Sequence, residues 1–132
     1  MKNPGSSRKR ILVVEDEPSI SQVCLRVLAS EGFEVEIAVN GMEAEDKLRE
    51  RDEYDLILID IRTPLMNGKE LYQCITEKHP KLVERVIFTS GDVMAGDTES
   101  FLEQSGRAFL PKPFAPNQLR AIVGEVLRQI ER

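Results

Sequence analysis

Short apolar runs alternate with longer amphipathic segments along this chain of 132 residues. The short runs are rich in Val, Ile and Leu, as are strands buried on both faces of a sheet. They lie near residues 10–15, 34–39, 55–60, 84–89 and 107–110. The longer segments repeat apolar side chains at helical spacing. They lie near residues 18–31, 41–51, 68–78, 95–105 and 116–131. Five alternating units predict an α/β fold, with a parallel sheet between two layers of helices.

One domain accounts for this alternating pattern. Residues 1–9 contain Asn3-Pro4-Gly5-Ser6-Ser7, a composition that breaks regular structure, so we expect a flexible leader followed by a single domain over residues 10–132. No apolar run approaches the roughly 18–20 residues of a membrane span. The start of the chain also lacks the apolar core of a signal peptide. We therefore expect a cytoplasmic protein that does not enter the membrane.

Charge, cysteine and histidine content narrow the classes of function. The formal net charge of −5 argues against a nucleic-acid-binding surface, so direct DNA binding is not expected. Cys24 and Cys74 lie in helical segments without metal-ligand spacing, and we interpret them as reduced residues in or near the core. The single histidine, His79, stands at the end of a helical segment and is expected to be exposed.

Polar groups stand at the carboxyl ends of four apolar runs. Glu15-Asp16, Asp60, Thr89-Ser90 and Lys112 follow or close the first, third, fourth and fifth runs. In parallel sheets these ends meet at one edge, where functional groups gather. Three carboxylates beside one ammonium group need a further cation, and oxygen ligands favour Mg²⁺ or Mn²⁺ over zinc. The pattern predicts a site where Asp60 attacks phosphorus while Lys112 and Ser90 neutralise the phosphoryl oxygens.

Four motifs, in this order and spacing, resemble the receiver domain of two-component response regulators. They are Val14-Glu15-Asp16-Glu17, Asp60-Ile61-Arg62-Thr63-Pro64-Leu65-Met66-Asn67-Gly68, Thr89-Ser90-Gly91 and Leu110-Pro111-Lys112-Pro113-Phe114. The resemblance extends from residue 10 to about residue 131. It implies a flavodoxin-like, doubly wound (βα)5 sandwich whose parallel sheet has the strand order 2-1-3-4-5.

The resemblance assigns roles around the metal and the phosphoryl group. It implies that Asp60 is the phosphoacceptor, that Glu15 and Asp16 are the acidic pair that binds Mg²⁺, and that Lys112 pairs with the phosphoryl group. The backbone carbonyl of Arg62 is implied as a further metal ligand. Glu15 stands where many members have Asp, and its extra methylene predicts a contact through water, with the direct contact made by Asp16.

The resemblance also implies a conformational switch. Ser90 is the hydroxyl expected to move onto the phosphoryl group, and Phe109 matches the aromatic residue expected to turn inward with it. Phe109 has no hydroxyl, so its inward position depends on packing alone. Gly91 leaves the phosphoryl group accessible beside Ser90, whereas Thr89 is expected to point into the sheet or a helix layer because strand side chains alternate.

Two residues at the mouth of the site are expected to tune the lifetime of the phosphoryl group. Arg62 lies two residues after Asp60, and Asp92 lies two residues after Ser90. Their charges are opposite, so the hypothesis is that they pair across the mouth and impede the hydrolytic water. The nearby segment 92–97, with two glycines close by, is expected to rearrange.

The implied function is a signalling switch and not an enzyme, apart from self-catalysed phosphoryl transfer and autodephosphorylation. The donor would be a sensor histidine kinase or a histidine phosphotransfer protein. A downstream partner would bind the face formed by the fourth helix, fifth strand and fifth helix, and a homodimer through that face is left open. A receiver cut from a hybrid sensor kinase is an alternative.

Three other functions fit the residues less well. A phosphatase of the haloacid dehalogenase type would need an acid where Arg62 stands, and 132 residues leave no room for its cap domain. A dinucleotide-binding domain would need a glycine-rich loop after the first strand. A degenerate receiver, acting as an interaction module without phosphorylation, would not require the complete set of site residues.

Overall fold

Five strands and five α-helices alternate in the computed structural model, which describes residues 8–92 and 96–131. The strands are β1 (Arg10–Val14), β2 (Glu34–Ala38), β3 (Leu56–Asp60), β4 (Val86–Ser90) and β5 (Ala108–Pro111). The α-helices are α1 (Pro18–Ser30), α2 (Gly41–Glu50), α3 (Gly68–Lys78), α4 (Gly96–Ser105) and α5 (Pro116–Ile130). Most of the predicted leader and the middle of the segment expected to rearrange lie outside the described residues. Within the described part, no helix has the length and apolar character to cross a membrane.

The strands form one parallel sheet in the order β2-β1-β3-β4-β5, which confirms the predicted topology. β3 and β4 are buried along their whole length, because helices cover both faces of the sheet. Alternate side chains of each strand enter opposite layers. Leu12, Ile57 and Phe88 pack with side chains of α2 and α3. Ile11, Leu58 and Ile87 pack with side chains of α1 and α5.

Helix α3 begins directly after the loop that follows the carboxyl end of β3. The side chain of Asn67 accepts a hydrogen bond from the Glu70 backbone, and the side chain of Glu70 accepts one from the Asn67 backbone, both at 2.9 Å. This reciprocal cap satisfies two free N–H groups at the start of the helix. A Cβ on Gly68 would lie 2.7 Å from the Cα of Ile61 and 2.9 Å from the Asp60 carbonyl oxygen. Glycine therefore lets the start of α3 pack against the backbone at the end of β3.

The segment before β4 differs from the sequence-based expectation. A short 3-10 helix spans Pro80–Arg85, so that β4 begins at Val86 and not near residue 84. Proline has no backbone N–H and restricts the residue before it, so α3 ends before Pro80. Leu82 is then buried beneath the short helix.

The expectation that His79 is exposed is wrong. Its side chain is only 11% exposed, and its Nδ1 atom lies 3.7 Å from a carboxylate oxygen of Asp52. His79 stands between the end of α3 and the 3-10 helix, and the Asp52 carboxylate lies beside its imidazole.

Candidate functional site

Four strand ends bring the predicted polar residues to one edge of the sheet. Asp60 and Ser90 are the last residues of β3 and β4, while Glu15 and Lys112 directly follow β1 and β5. The Nζ atom of Lys112 lies 2.8 Å from Asp60 Oδ2 and 2.8 Å from Glu15 Oε1. Asp60 is 4% exposed and Glu15 is 2% exposed. One ammonium group therefore joins two nearly buried carboxylates.

The ammonium group of Lys112 is held in its charged form. Burial by itself lowers the pKa of Lys112, but the contacts with Asp60 and Glu15 outweigh that effect and raise the pKa above its ordinary value. A third carboxylate, on the exposed Glu17, lies 3.9 Å from the same Nζ atom. Glu17 was not predicted to be a site residue. The one indication in the sequence is that the acidic run Glu15-Asp16 continues to residue 17.

The carboxyl group of Glu15 responds to burial differently. Loss of water around it raises its pKa to about 7, although the Lys112 contact opposes the rise. The charge of Asp60 raises the pKa further, and a hydrogen bond from the Glu17 backbone lowers it. That backbone N–H donates to Oε2 at 3.1 Å. Oε1 accepts no hydrogen bond from the described residues but lies in ion contact with Lys112, so both carboxylate oxygens of Glu15 face protein groups.

Glu15, Asp16 and Asp60 form an acidic cluster suited to a hard cation. Each offers a carboxylate oxygen, and the three oxygens lie within 4.8 Å of one another. Asp16 is exposed while the other two are buried, so the cluster opens to solvent on one side. Three carboxylates without a thiol or an imidazole fit Mg²⁺ or Mn²⁺. The backbone N–H of Arg62 donates to Asp60 Oδ1 at 3.0 Å, which places the next peptide beside the cluster.

The two hydroxyls at the end of β4 have different surroundings. The Ser90 hydroxyl accepts a hydrogen bond from the Asp92 backbone at 3.1 Å, within the loop that leaves the site. Thr89 is buried too, and its hydroxyl has no hydrogen-bond partner among the described residues. Phe109 is half-buried in β5 and packs against the same core cluster as Phe88. Its inward rotation remains a prediction.

Arg62 and Asp92 form an ion pair across the mouth of the site, as the opposite charges predicted. Both side chains are largely exposed to solvent. A second ion pair, Lys69–Asp97 at 3.1 Å, joins the first turns of α3 and α4. No sequence pattern indicates this second contact, since the two residues are 28 positions apart in different helices.

The raised pKa of Glu15 predicts a pH-dependent stability in the metal-free protein. An unfolded glutamate releases its proton near pH 4.5, whereas folded Glu15 keeps it up to about pH 7. The contribution of this carboxyl group to the free energy of unfolding is therefore full below about pH 4.5 and is lost as the pH rises toward 7.

Urea unfolding in EDTA at several pH values measures this effect. We expect Glu15→Gln to remove roughly 1–3 kcal/mol of the fall in stability between pH 4.5 and 7.5. The exposed Glu103 provides a control, because Glu103→Gln should leave the profile of the parent unchanged. An identical pH profile for Glu15→Gln and the parent would contradict the prediction.

Comparison with known proteins identifies the family. A profile of the response regulator receiver domain matches residues 11–124. The DNA-binding response regulator MtrA of Mycolicibacterium smegmatis is 35% identical over 128 residues, which cover 94% of this chain and 53% of MtrA. The chain spans about half the length of the curated regulators that it matches.

Solved structures give the same result. A CheY-like response regulator receiver domain from Methanospirillum hungatei superimposes with a TM-score of 0.85 at 32% identity, over 95% of this chain and 98% of that one. The receiver domain of the sensor histidine kinase PA1611 from Pseudomonas aeruginosa has a TM-score of 0.80 at 30% identity, over 92% and 99% of the two chains. That structure has a magnesium ion coordinated in its active-site cleft. The chain thus belongs to the response regulator receiver domain family of two-component systems, with the flavodoxin-like fold predicted from its sequence.

Proposed function

We propose that this domain accepts a phosphoryl group on Asp60 from a phosphohistidine of a partner protein, in the presence of Mg²⁺. The observation that carries the proposal is the placement of Asp60, whose carboxylate is nearly buried, contacts Lys112 and belongs to the acidic cluster. A sensor histidine kinase or a histidine phosphotransfer protein would supply the phosphoryl group. The reaction is a single transfer onto the domain itself, followed by slow self-catalysed loss.

The acidic cluster is the proposed magnesium site. Asp16 and Asp60 would hold the ion directly, Glu15 would act through water, and the Arg62 carbonyl would supply a further oxygen. The engagement of both Glu15 oxygens with protein groups supports the indirect role. The coordinated magnesium in the PA1611 receiver supports the choice of metal. When bound, the ion neutralises oxygens of the phosphoryl group.

The protein residues account for the remaining steps of the transfer. A carboxylate oxygen of Asp60 forms the new bond to phosphorus, and the bond from phosphorus to the imidazole nitrogen breaks with its electron pair returning to the imidazole. Lys112 is charged and already in contact with Asp60 Oδ2, so it can follow the negative charge onto a phosphoryl oxygen. The Ser90 hydroxyl accepts only one backbone hydrogen bond among the described residues and is free to donate its own proton.

The proposed response to phosphorylation passes through β4. Phe88 lies two residues before Ser90, and its ring contacts Phe101 of α4 edge-on, with the centroids 5.1 Å apart. A Ser90 side chain drawn onto the phosphoryl group would therefore act on a strand that packs directly against α4. Inward rotation of Phe109 would change β5 next to it. The face of α4, β5 and α5 is the proposed surface for a downstream partner or a second copy of the domain.

A second proposal, with the same phosphoryl transfer to Asp60, is that this domain is part of a hybrid sensor kinase. The 30% identity to the receiver of the sensor histidine kinase PA1611 favours it, while the similarity to MtrA favours a response regulator. The phosphatase alternative receives no support. That mechanism needs a carboxylic acid two positions after Asp60, and this position holds Arg62, whose guanidinium pairs with Asp92.

Intact mass spectrometry after incubation with acetyl phosphate and Mg²⁺ tests the proposed acceptor. The parent protein should gain the mass of one phosphoryl group, and the gain should disappear with EDTA. Asp60→Asn should gain nothing, since an amide cannot form the acyl phosphate. Asp46→Asn changes an exposed aspartate of α2 and should behave like the parent. A phosphoryl adduct of equal yield on Asp60→Asn would show that Asp60 is not the acceptor.

The Arg62–Asp92 pair is proposed to slow hydrolysis of the phosphorylated form. An exposed ion pair stabilises by roughly 0.2–1 kcal/mol, so Arg62→Ala and Asp92→Asn should each shorten the phosphoryl lifetime by about 1.4- to fivefold. Decay of the adduct after removal of acetyl phosphate measures this. Arg49→Ala breaks the exposed pair with Asp46 in α2 and serves as the control. If Arg62→Ala has the lifetime of the parent, the pair has no such role.

A further inference from the structure

The loop between β3 and α3 is tied to the strands where it leaves the site. The Ile61 backbone donates to the Thr89 carbonyl at 3.0 Å, and its own carbonyl accepts from Gly68 at 2.9 Å. The Arg62 backbone donates to the Asp60 carboxylate at 3.0 Å. The carbonyl of Arg62 follows these groups along the chain, directly after the last of these hydrogen bonds to the strands.

Among the described residues, no strand shares a backbone hydrogen bond with the far half of this loop, residues 63–66. Leu65 has a φ angle of 67°, a left-handed conformation that is costly for a bulky side chain. The residue is also 76% exposed, so burial of its side chain does not stabilise that conformation. Another interaction must hold the turn in place.

The Met66 carbonyl provides that interaction, because it accepts two hydrogen bonds. The Thr63 hydroxyl donates to it at 2.9 Å and closes the turn on itself. The Gly41 backbone at the start of α2 donates to it at 3.1 Å and ties the turn to the neighbouring layer. Thr63 is 7% exposed, so little water competes for its bond.

Gly41 is the residue that allows this close approach. A Cβ at this position would lie 2.2 Å from the Met66 carbonyl oxygen and 2.8 Å from the Met66 Cβ. Any side chain would push the turn away from α2. The turn is therefore held by two hydrogen bonds to the Met66 carbonyl, one from Thr63 within the turn and one from Gly41 in α2.

We propose that Thr63 and Gly41 are positioning residues for the divalent metal. By holding the Met66 carbonyl they fix the turn that begins at the Arg62–Thr63 peptide, and so restrict the position of the Arg62 carbonyl. Neither residue belongs to the acidic cluster that would hold the metal. The inference rests on the proposed function, since it concerns the same magnesium site, but it assigns residues that the site chemistry leaves out.

A Mg²⁺ titration followed by NMR on the EDTA-treated and dialysed protein tests the inference. Thr63→Val keeps the shape of the side chain and removes the hydroxyl, and should weaken Mg²⁺ binding by about 5- to 10-fold. Thr63→Ser keeps the hydroxyl and should stay within about twofold of the parent. Thr76→Val is the matched control, because the Thr76 hydroxyl also bonds a carbonyl at 2.9 Å, on an exposed turn of α3.

The outcomes separate the positioning role from a general loss of stability. Thermal unfolding of each variant without metal reports stability, and only the positioning role predicts weak Mg²⁺ binding that Ser restores. Two results would overturn the inference while leaving the proposed function intact. One is a Mg²⁺ affinity of Thr63→Val equal to that of the parent. The other is a loss of Mg²⁺ affinity in Thr63→Ser and Thr76→Val as large as the loss in Thr63→Val. A parent protein that binds no Mg²⁺ would overturn both. Gly41→Ala gives a second test, with an affinity expected to fall like that of Thr63→Val.

Discussion

The contact of one lysine with two carboxylates is the constraint on which the rest of the site depends. Asp60 and Glu15 are both nearly buried, and two such charges side by side are costly unless a cation pairs with them. Lys112 supplies that cation at 2.8 Å from each. Breaking a buried pair of this kind costs about 3–5 kcal/mol, because the remaining charge loses its partner. Lys112 therefore holds in place the carboxylate of Asp60, which is the proposed phosphoryl acceptor.

The topology of the sheet makes this contact possible. Lys112 follows β5 and Asp60 ends β3, so the lysine must reach across the end of β4, which lies between them. β4 ends at Ser90, and the Lys112 backbone donates to the Ser90 carbonyl at 3.0 Å. Gly91 follows β4, and a Cβ on it would lie in ordinary contact with the Lys112 Cβ, at 3.8 Å. The lysine therefore passes close beside Ser90 and Gly91 on its way to Asp60.

The sheet order and the meeting of the polar residues at one edge could be predicted because they follow from rules that act along the chain. Alternating strands and helices define a parallel sheet, and its carboxyl edge gathers the polar ends of β1, β3, β4 and β5. Other features depend on contacts between distant segments. His79 lies beside Asp52, and the turn at Leu65 is bonded through the Met66 carbonyl to Gly41 at the start of α2. A sequence pattern shows neither contact. The expectation that His79 is exposed was therefore wrong, and the hydrogen bond from Gly41 to the loop between β3 and α3 was not predicted.

The proposed acceptor can be tested by a crystal structure of the protein with Mg²⁺ and beryllofluoride, which mimics a phosphoryl group on a carboxylate. We expect beryllium bonded to a carboxylate oxygen of Asp60. We also expect that Lys112 has moved from Asp60 onto a fluoride, that the Ser90 hydroxyl donates to another fluoride, and that the metal lies among Glu15, Asp16 and Asp60. Beryllofluoride bound to a different carboxylate, or a complex in which Lys112 still pairs only with Glu15 and Asp60, would contradict the proposal.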